Sequence, residues 1–184
     1  MFRFRNRSGS RRVPVPAAVG TRVGTDDGFR AVVDTRSVVQ PLGSGHRVEW
    51  WVGGGDRWYD PSTEAAVRQV RPGAAPVLET RLRVSGGDVV ATTWAAVGRG
   101  FTGPAVVVEL ANETPVPVAV AVAVQAASGG QVRRMSADGR RLLVDGTPAV
   151  VVDRALSLIH ISEPTSRTPL SCAVVCLKKH GGGG

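Results

Sequence analysis

Residues 46–61 gather the side chains best suited to chemistry: His46, Arg47, Glu49, Trp50, Trp51, Asp56, Arg57, Trp58, Tyr59 and Asp60, around the turn Gly53-Gly54-Gly55. Indole and phenol rings offer flat apolar faces that stack on the C–H faces of sugar rings, while neighbouring carboxylates and guanidinium groups bond hydroxyls. If residues 46–52 are extended, side chains alternate between faces, so Val48, Trp50 and Val52 share one side and Arg47, Glu49 and Trp51 the other. Trp50 then belongs to a core. Trp51, with Trp58 and Tyr59 beyond the glycines, forms an aromatic platform flanked by Asp56, Arg57 and Asp60. The candidate substrate-binding residues are therefore Trp51, Trp58, Tyr59, Asp56 and Arg57. The plainer use of the same residues is structural: the aromatics close a sheet edge or pack on a following domain, and Arg57 pairs with a carboxylate.

Other chemistries find little support. Glu49, Asp56 and Asp60 are the right type for the carboxylate pair of glycoside hydrolysis, but that reaction depends on a spatial separation that sequence spacing does not set. No catalytic residue is assigned. His46 is the one histidine before residue 156, and without a Cys or second His nearby it makes a poor metal ligand. No serine sits in a Gly-x-Ser-x-Gly elbow, and the three glycines lack the lysine of a phosphate-binding loop. Neither a metal nor a cofactor is expected.

The elements that must position these residues read as strands. Short Val-rich runs recur at 29–34, 46–52, 65–70, 77–84, 88–95, 105–110, 116–125, 131–135, 140–144 and 149–152, separated by Gly, Pro, Asp and Ser. Many short strands with turn signals between them predict an all-β fold, an antiparallel β-sandwich. Asp138-Gly139 and Asp145-Gly146 bracket residues 140–144 and predict successive tight hairpins. Residues 62–69 are the best helix candidate, though short and β-branched. Along 116–124 Val alternates with Pro or Ala, so both faces are apolar and the strand should be central, its Val face in the core and its Ala face under a second layer.

Composition divides the chain. Lys, Ile and Cys are absent before residue 156, yet the remaining residues hold every one of them, along with His160 and His180. Leu156, Ser157, Leu158, Ile159, His160, Ile161, Ser162, Glu163, Pro164 and Thr165 match, in order, one reading frame of a tagmentation sequencing adapter. The span 156–184 thus resembles translated adapter read-through, is set apart from the fold as non-native and disordered, and Cys172 and Cys176 are not read as metal ligands. The chain carries 23 Lys and Arg against 15 Asp and Glu. Much of that excess is Arg3, Arg5, Arg7, Arg11 and Arg12, within a basic, flexible arm over 1–24, whereas the body over 25–155 is nearly neutral. A nucleic-acid surface would concentrate cations on the folded face, so no nucleic-acid partner is expected. The longest apolar run, 116–124, contains Pro117 and is too short to span a bilayer as a helix; no secretory signal is visible. The expectation is a soluble, cytoplasmic protein with no membrane partner, its body stabilised by an apolar core without disulfides.

The segments 34–41, 49–69 (EWWVGGGDRWYDPSTEAAVRQ), 78–84 and 109–118 together resemble the N-terminal β-sandwich region of large actinobacterial proteins similar to glycogen-debranching and other glycoside hydrolases with an (α/α)6 barrel. The resemblance covers roughly residues 25–153. In such proteins the catalytic carboxylates sit in the helical barrel, so it implies a non-catalytic part of a larger carbohydrate-active protein, truncated at the adapter, with an absent C-terminal domain and an oligo- or polysaccharide as its partners. The alternative is a stand-alone carbohydrate-binding or interaction module.

Overall fold

A computed structural model describes residues 2–4, 20–97, 103–127, 130–152, 157–161 and 172–178, the first and the last two of these as backbone. The described residues contain strands and turns and no helix, confirming the all-β class. In chain order the strands are β1 (Phe2–Phe4), β2 (Thr21–Gly24), β3 (Arg30–Val33), β4 (Val39–Pro41), β5 (His46–Gly53), β6 (Trp58–Tyr59), β7 (Val67–Val70) and β8 (Leu78–Val84). They continue as β9 (Gly87–Val97), β10 (Pro104–Asn112), β11 (Ala119–Ala126), β12 (Met135–Asp138), β13 (Arg141–Val144), β14 (Thr147–Val152), β15 (Ser157–Ile161) and β16 (Cys172–Lys178). One sheet runs β12-β13-β14-β1-β10-β9-β8-β7; the other runs β15-β16-β11-β5-β4-β3-β2, with β6 on β5. Their pairings are antiparallel.

A single apolar cluster joins the two sheets, which makes the fold a sandwich. Val23, Ala31, Val33, Val39, Val48, Trp50 and Val52 from one sheet meet Leu82, Val89, Ala91, Val106, Val108, Leu142 and Val150 from the other. Alternation along each strand supplies this layer: on β5, Val48, Trp50 and Val52 are 1%, 2% and 0% exposed, while Arg47 just before them is exposed and Trp51 on the same outer face is half-buried. On β11 both faces are covered, as its composition predicts. Val122 and Val124 enter the core cluster, and Ala121 and Ala123 on the opposite face are fully buried. That strand begins at Ala119, later than its apolar run, because Pro115 and Pro117 cannot donate to a ladder and Asn112 and Thr114 use their side chains to hold the intervening turn at the Val116 carbonyl.

The hairpins follow their turn residues. Asp145 and Gly146 both take positive φ, 50° and 79°, between the paired Val144 and Thr147. This is the type I′ geometry that matches strand twist. Gly139 likewise takes φ 57° where β12 turns into β13. The helix candidate at 62–69 is instead a capped turn leading into β7: Asp60 Oδ1 accepts from Ser62 N, and the Asp60 carbonyl accepts from Thr63 N and Glu64 N. The local hydrogen bonds of an Asx turn outcompete a helix too short to sustain itself. The strand expected at 131–135 lies later, over Met135–Asp138. Within 1–24, Phe2–Phe4 pairs with β10 and β14, and Thr21–Gly24 pairs with β3; residues 1 and 5–19 lie outside the described residues. Within the adapter-like span, β15 and β16 are paired strands, and residues 156, 162–171 and 179–184 lie outside the described set.

Two buried side chains make this fold testable. Trp50 donates from Nε1 to Ser37 Oγ at 3.1 Å, and Ser37 is itself 1% exposed with φ 66°. Trp50→Ala removes the largest fully buried side chain and is expected to destabilise the fold by about 3–5 kcal/mol in urea unfolding. His46 is 7% exposed, its Nδ1 lies 3.1 Å from the Ser44 carbonyl, and its Nε2 has no partner. Burial holds its pKa below the ordinary 6.5, against the opposing pull of the Ser44 carbonyl and Asp145. Protonation therefore favours the unfolded chain. The contribution of neutral His46 is complete above about pH 6.5 and declines as pH falls through that value toward the lowered folded pKa. Urea unfolding of His46→Gln should show a shallower loss of stability than the parent between about pH 6.5 and 5.

Candidate functional site

The side of β5 turned away from the core carries the site. Cross-strand partners share a face, and the register pairs Gly53 with Ala119, Trp51 with Ala121, Glu49 with Ala123 and Arg47 with Gln125. On the other flank of β5, Trp58 pairs with Gly53. Arg47, Glu49, Trp51 and Trp58 therefore stand on one outward face, over a floor of small residues. The Trp58 ring lies across Gly53: a Cβ there would meet the ring at 3.2 Å and Ala119 Cβ at 3.3 Å. Trp58 is 45% exposed. Trp51 sits one step along the same face, roughly 6–7 Å away along the strand.

The other end of the tract is polar and internally satisfied. Arg47 Nη2 donates to Gln125 Oε1 at 2.6 Å, Gln125 Nε2 donates to Glu49 Oε2 at 3.2 Å, and Arg47 Nε lies 3.2 Å from Glu49 Oε1. Glu49 is 4% exposed. Burial raises its carboxyl pKa above the usual carboxylate range; Arg47 opposes that shift and Asp60 adds to it. Trp51 Nε1 is buried without a hydrogen-bond partner, although the indole lies close enough to Glu49 to favour the ionised carboxylate.

The glycine loop splits the predicted platform in two. Tyr59 pairs with Val52, on the inward face, and joins the core cluster at 6% exposure. Its hydroxyl donates to Asp56 Oδ2 at 2.7 Å and accepts from Ser85 N at 3.2 Å, tying the loop to the β8–β9 turn of the opposite sheet. That bond raises the Tyr59 pKa and lowers that of Asp56. The Arg57 guanidinium lies 4.0 Å from the Tyr59 ring centroid and pairs with Glu64. Tyr59, Asp56 and Arg57 thus brace the turn, while Trp51 and Trp58 stand together on the outer face. Asp60 caps its own turn, and Asp34 accepts from Arg36 N and Val38 N. Gln125, which sequence reading did not single out, enters the site through strand pairing, and nothing in its local sequence marks it.

The chain matches no protein-family model, no curated protein and no solved structure.

The raised Glu49 pKa carries a definite sign. A folded pKa above 4.5 means that ionisation opposes folding, so the contribution of the neutral form is present below about pH 4.5 and is lost as pH rises through the folded value. Relative to the parent, Glu49→Gln should gain stability as pH rises from about 4 to 7 in urea unfolding, the opposite trend to that set by His46.

Proposed function

We propose that residues 25–155 form a non-catalytic β-sandwich of a larger carbohydrate-active protein, and that the outward side of β5, with Trp58 of β6 beside it, receives an oligo- or polysaccharide. One observation supports this above the rest: the strand register sets the Trp51 and Trp58 indoles on one outer face and continues that face into Arg47, Glu49 and Gln125. Two indoles one step apart suit stacking on consecutive sugar rings, and Arg47, whose side chain is 44% exposed at the polar end, offers N–H donors to hydroxyls. The small residues Gly53 and Ala119 let the Trp58 ring lie across the strand. The resemblance of 25–153 to the N-terminal sandwich of glycogen-debranching-like glycoside hydrolases points the same way and assigns the bond-breaking carboxylates to a different domain.

Titration of the whole chain with maltoheptaose, followed by tryptophan fluorescence and calorimetry, tests the reading. Saturable binding is expected, weakened about tenfold or more by Trp58→Ala, a loss on the order of 1.4 kcal/mol or greater. The same substitution should leave the melting temperature within about 2 °C, because an exposed side chain contributes little to the core. Binding unchanged by both Trp58→Ala and Trp51→Ala would sink the proposal.

A further inference from the structure

The edge strands β2, β7 and β12 differ in kind from β11, which lies inside its sheet with β16 and β15 beyond it. An edge strand exposes unpaired backbone groups and is normally kept short, charged or interrupted. β2 is four residues long, carries Arg22 and ends at Gly24; β7 is four residues long with Arg68 exposed; β12 is four residues long and ends at Asp138. β11 has none of these devices. Over Ala119–Ala126 it has no charge, no Pro and no register shift against β5, and Val120, Ala121, Val122, Ala123 and Val124 are each at most 9% exposed. It is built as an interior strand. Six residues of β11, Ala119 to Val124, pair with β16, and β16 belongs to the span that resembles translated adapter.

We infer that the β11 edge now paired with β16 is a strand-docking site whose native occupant is an apolar strand of the larger parent protein, encoded after residue 155 in place of 156–184, for which β16 stands in. The inference rests on the truncated-fragment reading of the proposed function. The site specifies its occupant: an antiparallel strand of at least six residues, without Pro, apolar at both alternating sets of positions. One set continues the Val120, Val122 and Val124 row, and the other continues the Ala121 and Ala123 row, which is why the two faces must both be apolar. Main-chain hydrogen bonds supply the attachment, as in strand addition generally. The docked strand would also border the Trp51 face, placing the following domain beside the sugar tract.

The experiment has two stages. Adapter-trimmed reads of the source DNA give the codons after residue 155, and the chain carrying them is then compared with the 184-residue chain by thermal unfolding and amide hydrogen exchange. The expected result is a new sequence containing such a run, protection of all amides in 119–126, and a melting temperature raised by on the order of 4 °C. A Pro placed in the run should return every second β11 amide to rapid exchange, because alternate amides of a strand face alternate neighbours. If the extended chain carries the run but β11 protection and melting temperature stay unchanged, the docking inference fails while the truncated-fragment reading stands. A concentration-dependent dimer that protects β11 in the Pro variant and the extended chain alike would name a second copy as the occupant and overturn it too. Should the source DNA encode Leu156 to Gly184 as they stand, the truncated-fragment reading falls with it.

Discussion

Everything in the site follows from the two-residue period of one extended strand. Trp50 and Trp51 are neighbours in sequence, and pleating forces them to opposite sides of β5. Trp50 goes to the core, where its indole N–H meets Ser37 and its bulk links the two sheets. Trp51 has no choice but the outer face, together with Glu49 and Arg47. A slip of one residue in pairing would exchange the two sets. It would bury Arg47 and Glu49 against valines and leave Val48 and Val52 in solvent. The cost of that exchange is what keeps the outer row aligned, so the binding face inherits its order from the core.

How much of this was legible depended on the range of the interactions. Hairpins at Asp138-Gly139 and Asp145-Gly146 could be read because their chemistry is local: residues that tolerate positive φ announce the turn. The facing of Trp50, Glu49 and Trp51 was equally legible from alternation. β1, β2, β4 and β6 were not: at two to four residues they show no period, and they lack the longer apolar run between turn signals that marked the equally short β3, β7 and β13. Residues 62–69 read as a possible helix because apolar spacing ignores Asp60, whose side chain and carbonyl seize the amides a helix would need. Tyr59 escaped for a different reason. Its inward facing depends on the pairing of a two-residue strand with β5, and no pattern within Gly53-Gly54-Gly55 fixes where the chain re-enters the sheet. Gln125 is a non-local partner, found through the register of β11 against β5.

Among the described residues several charges are held in pairs. Arg81 pairs with Glu79 and Glu113, Arg83 with Asp88, and Arg57 with Glu64, all at the surface. Exposed pairs of this kind add little to stability, but they fix side-chain positions. The pair within the site differs in environment. Glu49 is almost enclosed, so Arg47 and Gln125 offset a real desolvation penalty there.

The Tyr59 hydroxyl gives the loop an anchorage whose effect reaches the residue before it. It receives a hydrogen bond from Ser85 N in the turn between β8 and β9 and gives one to Asp56, while its ring lies in the core and beneath Arg57. Trp58 is the adjacent residue, and Gly53 lets its ring rest directly on the strand. An exposed indole would ordinarily sample several orientations, and a ligand would have to halt that motion on arrival. Here the backbone on one side is pinned across the sandwich and the ring is seated below. The entropy of holding Trp58 in place is lost when the chain folds, so a ligand meeting that face finds a surface already set.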